Sequence, residues 1–375
     1  MFINFKRILA VAQKETIEII RDPMRVVANF AVPVFVMFIF SSGLTLDIKN
    51  IPFVSLDYDN STESRQYIDS YINSDYYRYL GNVYSSQKAE SMLKSNKARF
   101  YIEIPSNFSR NLLSGNGSQV AIFIDGTQPF MAENINGYVQ GTHMVYLKNK
   151  AIENYGIDIS GNYEIKSRYW YNQAFESKFS FVPGIIVIIL MVIPAIMTAL
   201  SIAKEKETGT ISNFYATPLT KLEFLIGKQL IYIIIFIITY FILLLIAVSF
   251  YNVPIKGNLL LLTLCAIVYI FSTTAIGLLV SSFVKTQISG LLITLIMTMI
   301  PAFTYSGLLS PVSSLPENGR LMARLYPTLY FMNVSVGSFT KNLPTISILP
   351  NLAILILFYI IIISASTLLL KKQEI

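Results

Sequence analysis

The residues best suited to ionic chemistry form one short polar segment, Lys204-Glu205-Lys206-Glu207-Thr208-Gly209-Thr210. Alternating ammonium and carboxylate groups can pair with charges on a partner, and the glycine permits a turn. The segment lies between two apolar runs, 179–201 and 229–250, and a helix needs roughly 20 such residues to cross a bilayer. Because four charges cannot lie in hydrocarbon, we predict a loop or surface helix that serves as a docking surface.

Other residue types that often perform chemistry are scarce. The single cysteine, Cys265, lies in an apolar run, so neither a disulfide within the chain nor a CxxC site can form. One histidine, His143, cannot supply a zinc cluster. Gly227-Lys228 lacks the upstream glycine loop of a Walker A motif, which excludes that route to ATP hydrolysis. We therefore predict no catalytic residue and no metal site.

The apolar runs carry almost no ionisable side chains. Transporters driven by protons or sodium place such groups near the middle of the membrane. The sequence therefore disfavours a secondary transporter and an ion channel with a charged filter, and energy for transport must enter from elsewhere. The runs without Asp, Glu, Lys, Arg or His are 179–200, 229–250, 259–283 and 288–308.

Composition places the chain in a membrane. Its 375 residues are 53% hydrophobic and only 14% charged, with a mean hydropathy of +0.54, whereas soluble domains carry about 25% charged residues. The formal net charge of +7 fits an excess of Lys and Arg on the inner side of the membrane. Nucleic-acid binding is disfavoured, because these cations are dispersed and not clustered with aromatic residues.

The apolar pattern predicts an α-helical integral membrane protein with six transmembrane helices. Residues 1–25 come first, as an amphipathic helix that lies on the membrane surface with its basic face toward the lipid headgroups. Lys14 and Glu15 are among the charges around its apolar stripe, and Asp22-Pro23 ends the pattern. The expected spans are 26–46, 179–201, 229–250, 259–283, 288–308 and 349–370.

Residues 47–178 differ from the rest, because charge, Asn, Ser, Tyr and Gly return and no stretch is long enough to cross a bilayer. We predict an inserted α/β domain between the first two spans. Its strands are expected at 51–56, 82–84, 99–104 and 120–124, and its helices at 61–72, 87–95, 105–113 and 129–154.

The charge distribution orients the chain. If both termini face the cytoplasm, the inner segments hold most of the Lys and Arg, which is the orientation that the positive-inside rule favours. Segment 202–228 is then cytoplasmic and the inserted domain extracytoplasmic. The inner cations are Lys6, Arg7, Lys14, Arg21, Arg25, Lys204, Lys206, Lys221, Lys228, Lys285, Lys371 and Lys372, against Lys256, Arg320, Arg324 and Lys341 in the short outer loops.

Residues 309–348 are too apolar for a plain loop and too often interrupted by proline for a span. Two short helices, 321–325 and 329–336, would enter the outer leaflet as re-entrant helices. Irregular backbone at that depth needs protein or a cavity around it, so the segment fits a gate near an exit path. A loop that rests on the membrane is the alternative.

Several of these segments resemble ABC-2 type transporter permeases, the membrane-spanning subunits of bacterial ABC exporters. Residues 202–210, Ala216-Thr217-Pro218-Leu219 and Gly227-Lys228 are similar to the family's cytoplasmic signature, with Lys204 where the family has Arg. Phe53 to Ser61 and Asp125-Gly126-Thr127 resemble the outer domain of the drug-exporter-like branch. Lys14-Glu15 and Arg21-Asp22-Pro23 are similar to the family's opening helix. The family's segment after the fifth span is similar to Tyr305-Ser306-Gly307, Pro311, Leu315-Pro316 and Leu325-Tyr326-Pro327.

The resemblance implies a division of labour. Two permease subunits would pair, each bound to a separate ABC ATPase, so that ATP and Mg²⁺ lie on two ATPase copies while this chain is not an enzyme and binds no cofactor. The residues implied to couple to the ATPase are Lys204, Glu205, Lys206, Glu207, Gly209, Thr210, Thr217 and Pro218 in a coupling helix (202–228), with Lys14, Glu15, Arg21 and Asp22 in the interface helix. The implied outer gate comprises Tyr305, Ser306, Gly307, Pro311, Pro316 and Pro327.

Together these features predict a multi-pass permease of the cytoplasmic membrane that exports an amphipathic compound, such as a drug, a lipid-like molecule or a toxic metabolite. Spans without charges suit an apolar or membrane-derived cargo better than a free ion. The alternative is a membrane-anchored receptor or surface-assembly protein that binds a partner through residues 47–178 and transports nothing. Homodimer and heterodimer are both open.

Overall fold

The chain is described by a computed structural model over residues 4–43, 50–114, 118–127, 129–155, 178–212 and 217–370. It forms two compact units. The first unit combines Met1–Thr45 with Tyr169–Ile375, and the second is Leu46–Arg168. The ends of the predicted inserted domain, 47–49 and 156–177, lie outside the described residues, as do Lys371 and Lys372.

The helices of the first unit dominate the structure. They are α1 (Phe5–Arg21), α2 (Pro23–Gly43), α7 (Lys178–Glu207), α8 (Lys221–Ser249), α9 (Leu259–Phe283), α10 (Gln287–Thr304), α11 (Glu317–Arg324), α12 (Pro327–Thr340) and α13 (Thr345–Leu369). The second unit contains β1 (Ile51–Asp57), α3 (Thr62–Ile72), β2 (Tyr77–Asn82), α4 (Ser86–Lys94), β3 (Phe100–Ile104), α5 (Phe108–Leu113), β4 (Ala121–Ile124) and α6 (Pro129–Tyr155).

Among the described residues, six helices are long and apolar enough to cross a membrane, namely α2, α7, α8, α9, α10 and α13. The predicted mostly helical architecture with six such helices is thereby confirmed. The helix α7 is the most deeply buried of the six, and it packs against α2, α8, α9, α10 and α12. It therefore forms the centre of the helical unit.

Small residues allow the closest helix contacts. A Cβ atom at Gly277 of α9 would meet Thr198 Oγ1 and Ala195 O of α7, so only glycine fits there. The Thr198 hydroxyl also donates a 3.0 Å hydrogen bond to Thr274 O of α9. Lipid tails are as apolar as the side chains, so close packing and hydrogen bonds of this kind hold membrane helices together.

The predicted coupling helix, 202–228, is divided between two long helices. Lys and Glu favour helix, and α7 accordingly continues beyond its apolar run to Glu207. The helix α8 begins at Lys221, because Thr220 and Glu223 form a capping box at its start. Residues 213–216 lie outside the described residues. The charged segment is thus mainly the end of an apolar helix.

The predicted re-entrant segment, 309–348, contains α11 and α12, which are longer than the helices expected from the sequence. The ring of Phe331 in α12 stacks on Tyr269 of α9 with 4.5 Å between centroids. Ser335 Oγ of α12 donates to Pro183 O of α7 at 3.1 Å. The helix α12 is therefore surrounded by protein, which is the condition for irregular backbone at membrane depth.

The second unit is a small four-stranded sheet of order β2-β1-β3-β4 with helices on both faces. The strand β1 is parallel to β2 and β3, and β4 is antiparallel to β3. Helices α3, α5 and α6 cover one face, and α4 covers the other. The strand β2 begins earlier than the predicted 82–84, because the ring of Tyr77 packs on Phe53 of β1 with 5.9 Å between centroids.

Candidate functional site

Three charged side chains are buried together where α1, α7 and α8 meet, and we call Glu15, Glu205 and Lys228 the junction cluster. Glu15 is 0% exposed, Lys228 1% and Glu205 5%. Burying an ion is costly unless an opposite charge and hydrogen bonds replace the lost water. Because each member comes from a different helix, the junction cluster ties three helices together.

Lys228 lies at the centre of the junction cluster. Its ammonium group contacts Glu15 Oε2 directly and lies 3.0 Å from Glu205 Oε1. It also donates to Ser201 Oγ at 3.2 Å. Glu15 Oε1 accepts hydrogen bonds from Ser201 Oγ at 2.7 Å and from the Tyr232 hydroxyl at 2.9 Å. These contacts supply the hydrogen bonds that a buried ion pair requires.

Two more cations approach the junction cluster from its rim. Lys14 Nζ donates to Glu205 Oε1 at 2.7 Å, and Arg25 Nη1 lies 3.6 Å from Glu15 Oε1. Burial raises the pKa of the Glu15 carboxyl, but Lys228 and the hydrogen bonds outweigh it and hold the pKa below its ordinary value. Burial lowers the pKa of Lys14, but its contacts with Glu205 raise it above the ordinary value. Both groups are therefore charged at neutral pH.

The acidic side chains of the site were also considered as metal ligands. Glu15, Glu18 and Glu205 place their carboxylate oxygens within 4.8 Å of one another. The ammonium groups of Lys14 and Lys228, however, contact all three carboxylates. The chain's own cations thus balance this charge, and the arrangement fits an ion network better than a cation site.

The helix α1 packs its buried face on α8. A Cβ atom at Gly227 of α8 would lie 2.7 Å from Val11 Cβ and 3.0 Å from Ile8 O, so the glycine permits this close approach. Glu15 lies one helical turn after Val11 on that same buried face. Glu15 was predicted among the charges around the apolar stripe, whereas the structure places it within the buried face itself.

The four charged residues Lys204 to Glu207 form the last turn of α7, and each reaches a different neighbour. Consecutive helical residues point about 100° apart. Lys204 Nζ lies 3.6 Å from Asp22 Oδ2, at the junction of α1 and α2. Glu205 belongs to the junction cluster, Lys206 donates to backbone carbonyls at the end of α9, and Glu207 accepts from a backbone N–H of α10. The sequence predicted that these four charges lie on a separate loop or surface helix. They instead form the last turn of α7 and contact four neighbouring parts of the helical unit.

Residues 208–212 follow α7, and we call them the α7 tip. All of them are exposed except the half-buried Ile211, and Thr217 and Pro218 of the predicted coupling segment are exposed as well. Gly209 has a φ of +73°, a left-handed conformation that glycine adopts without strain, and it turns the chain directly after the helix. Arg7 Nη1 of α1 donates to Pro218 O at 2.7 Å. The start of α1 is therefore attached to the segment that follows the α7 tip.

A cavity of 530 Å³, lined mostly by charged and hydroxyl-bearing residues, brings predicted interface and coupling residues together. It lies between the C-terminal ends of α1 and α7. Arg21 and Asp22 line it from the α1 side, and Lys204, Thr208 and Thr210 line it from the α7 side. Ser201 also lines it, so the walls present both signs of charge and three hydroxyl groups.

The predicted outer-gate residues lie near the other end of α7. A Cβ atom at Gly184 of α7 would meet the side chain of Leu308, and the helix between Gly184 and Glu205 is about 30 Å long. The structure therefore separates the predicted gate from the junction cluster. Of the predicted gate residues, Tyr305 caps α10, Ser306 is buried, and Gly307 has a φ of +89°. The three prolines lie at helix starts: Pro311 precedes a short 3-10 turn (Val312–Ser314), Pro316 precedes α11, and Pro327 begins α12.

Lys228, Ser201 and Tyr232 were not predicted as site residues. Lys228 drew attention only in three other respects: as an inner cation, in a rejected ATP-binding motif and in the Gly227-Lys228 part of the family's cytoplasmic signature. Their positions could have indicated the site, because Lys228 occurs in the buried stretch of α8 and Glu15 in the buried stripe of α1. Two opposite charges at buried positions of different helices indicate that the helices meet.

The sequence of the chain was compared with known proteins and protein families. The profile of the family described as "ABC-2 family transporter protein" matches residues 26–368. The chain is 26% identical to the "Probable multidrug ABC transporter permease YbhS" of Escherichia coli (strain K12), over 99% of this chain and 98% of the relative. It is 27% identical to the "Probable multidrug ABC transporter permease YbhR" of that strain, over 90% and 91%. It is 23% identical to the "Inner membrane transport permease YhhJ" of that strain, over 83% and 81%.

Proposed function

Because this chain belongs to the ABC-2 family of transporter proteins, we propose that it is the membrane-spanning subunit of an ATP-driven exporter in the cytoplasmic membrane. The six apolar helices make it a multi-pass membrane protein, and membership of the family implies association with an ABC ATPase. In the proposed assembly two permease subunits pair and two ATPase copies hold ATP and Mg²⁺. This chain then binds no cofactor, and it contributes the path and the moving helices.

The observation that carries the proposal is the attachment of the α7 tip to the helical unit. The tip is exposed, and it directly follows a helical turn whose charges are bonded to α1, α8, α9 and α10. An ATPase that pushes on the tip therefore moves several helices together. The cavity beside the tip has both signs of charge on its walls, which suits a charged side chain of a partner.

In the proposed transport cycle, a movement at the C-terminal end of α7 reaches the segment packed near its N-terminal end. The junction cluster and the α7 tip lie at its C-terminal end, and the predicted outer gate packs near its N-terminal end. In the proposed orientation the tip faces the cytoplasm, and the gate and the inserted domain lie on the outer side, as the positive-inside rule favours. Movement of α7 with the helices bonded to it would then open the outer segment.

The proposed orientation predicts which introduced cysteines a membrane-impermeant maleimide labels in intact cells. With the buried Cys265 replaced by serine, Tyr84→Cys is expected to be labelled directly, because Tyr84 is 90% exposed in the inserted domain. Ser212→Cys in the exposed α7 tip is expected to be labelled only after permeabilisation. Labelling of Ser212→Cys in intact cells, with Tyr84→Cys protected, would invert the orientation.

The proposed cargo is an amphipathic compound such as a drug, a lipid-like molecule or a toxic metabolite. Two relatives carry the word multidrug in their names, and spans without charges suit an apolar cargo. The receptor or surface-assembly alternative requires no ATPase. Copurification of this chain with an ABC ATPase, followed by ATP-dependent accumulation of ethidium or a fluorescent phospholipid in inside-out vesicles, distinguishes the two functions.

The contact with the ATPase is tested by placing a large cation on the α7 tip. Ser212→Arg is expected to weaken copurification of the ATPase and to lower transport by about fivefold or more, while the permease itself stays folded. Ser95→Arg is the matched control, because Ser95 and Ser212 are both exposed and each donates to the carbonyl three residues earlier. Equal ATPase binding by both variants would remove the α7 tip from the proposed contact.

A further inference from the structure

Lys206 and Glu207 bind both sides of the short turn, residues 284–286, that joins α9 to α10. Lys206 Nζ donates to Ser282 O and to Val284 O, both at 3.1 Å. Glu207 Oε2 accepts hydrogen bonds from Gln287 N at 2.7 Å and from Gln287 Nε2 at 3.3 Å. Two consecutive residues of α7 therefore hold the end of one long helix and the beginning of the next.

The sign of each charge matches the helix end that it contacts. The last carbonyl groups of a helix have no partner within the helix and carry a partial negative charge, and at the end of α9 they meet the ammonium group of Lys206. The first N–H groups carry a partial positive charge, and at the start of α10 one of them meets the carboxylate of Glu207. Exchanging the two charges would place the wrong sign at both helix ends.

The helix α10 depends on α7 for most of its packing. Within the described residues it contacts α7 far more extensively than α9, its neighbour in sequence. Gly290 near its start lies against Ala203 of α7, where an added Cβ would be 3.4 Å from the Ala203 Cβ. At its other end α10 leads directly into Tyr305, the first of the predicted outer-gate residues.

We propose that Lys206 and Glu207 are positioning residues that make the α9–α10 turn follow the end of α7, so that a push on the α7 tip reaches the outer segment through α10. This inference rests on the proposed function. The junction cluster connects α7 to α1 and α8, whereas the Lys206–Glu207 pair connects it to α9 and α10. The two charged contacts thus serve different parts of the bundle.

The test measures ATP hydrolysis and transport in the same proteoliposomes, which contain the full chain and its ABC ATPase, with ethidium and a fluorescent phospholipid as probes. Lys206→Met combined with Glu207→Gln removes both charges at nearly constant size. We expect this variant to assemble and to hydrolyse ATP, while the transport per ATP hydrolysed falls by about fivefold or more. A purely structural role would lower hydrolysis and transport together and leave their ratio unchanged.

Three variants sharpen the result. Lys206→Arg keeps a donor for the carbonyls of α9 and is expected to retain the wild-type ratio. The exchange of Lys206→Glu with Glu207→Lys keeps the net charge and is expected to lower the ratio at least as far as the neutral pair does. Lys285→Met, in the same turn but exposed to solvent, is the matched control and is expected to behave as wild type.

Hydrogen exchange provides a readout that needs no transport. In nanodiscs the variant with both charges removed is expected to exchange the amides of residues 284–288 about tenfold faster than wild type, because the neutral amide oxygen of Glu207→Gln is a weaker acceptor for the Gln287 N–H than the carboxylate. Faster exchange with an unchanged transport-to-hydrolysis ratio would overturn the inference, and so would no change in either quantity. If the wild-type complex shows no ATP-driven transport, the proposed function falls and this inference falls with it.

Discussion

Replacing Lys228 with methionine is expected to lower the free energy of unfolding by about 3–5 kcal/mol, the usual cost of breaking a buried ion pair by removing one partner. Lys228 contacts both Glu15 and Glu205. Its loss leaves two buried carboxylates near each other, and among the described residues Lys14 and Arg25 at the rim remain as their cationic contacts. The helices α1, α7 and α8 then lose the ammonium group of α8 that contacts carboxylates of both α1 and α7.

A double variant separates the charge effect from the packing effect. Glu15→Met together with Lys228→Met removes both members of the closest pair, so less uncompensated charge remains buried. The double variant is therefore expected to be more stable than Lys228→Met alone. Unfolding by sodium dodecyl sulfate in mixed micelles, followed by circular dichroism, measures these differences.

The control for Lys228→Met is Lys285→Met, which removes an exposed lysine from the same unit. Exposed substitutions of this kind usually change stability by about 0.5 kcal/mol or less. If Lys228→Met and Lys285→Met unfold at the same detergent concentration, the buried charges make no net contribution and the junction cluster does not stabilise the contact of the three helices.

The six long helices could be predicted because each one corresponds to a single continuous stretch of the sequence. A run of about 20 apolar residues is sufficient to indicate a span. That the charged segment at 204–207 lies outside the hydrocarbon stays a prediction, and its contacts were not predicted. Its alternating charges resemble an exposed docking surface, whereas on a helix four consecutive residues point in four directions and here meet four different neighbours.

The junction cluster could not be predicted because its members are far apart in the sequence. Glu15 and Lys228 are 213 residues apart, and helical periodicity says nothing about which helices become neighbours. Only the position of each charge on an apolar face indicated burial. Strand β2 shows the same limit on a smaller scale, since its start is set by the packing of Tyr77 on Phe53 of another strand.

Gly277→Ala is expected to destabilise the helical unit by about 1–3 kcal/mol, the typical cost of adding a methyl group to a well-packed core. The sign of this stability change is informative, because alanine in a helix interior is ordinarily favoured over glycine by about 0.5–1 kcal/mol. At Gly277 the new Cβ would meet Thr198 Oγ1 and Ala195 O of α7. The carbonyl belongs to the helix backbone, so α7 and α9 must move apart to admit the methyl group.

Gly290→Ala is the matched control for Gly277→Ala, because it makes the same chemical change in a neighbouring helix. There the nearest atoms are Ala203 Cβ at 3.4 Å and Val284 Cγ2 at 3.6 Å, which are ordinary contacts. This variant is expected to be neutral or more stable than wild type by up to about 1 kcal/mol. Adding Thr198→Ala to Gly277→Ala removes the clash with the hydroxyl but also its hydrogen bond to Thr274 O, and Ala195 O stays in place, so recovery should be partial. Equal stability of the two glycine variants in detergent unfolding would contradict the close contact of α7 with α9.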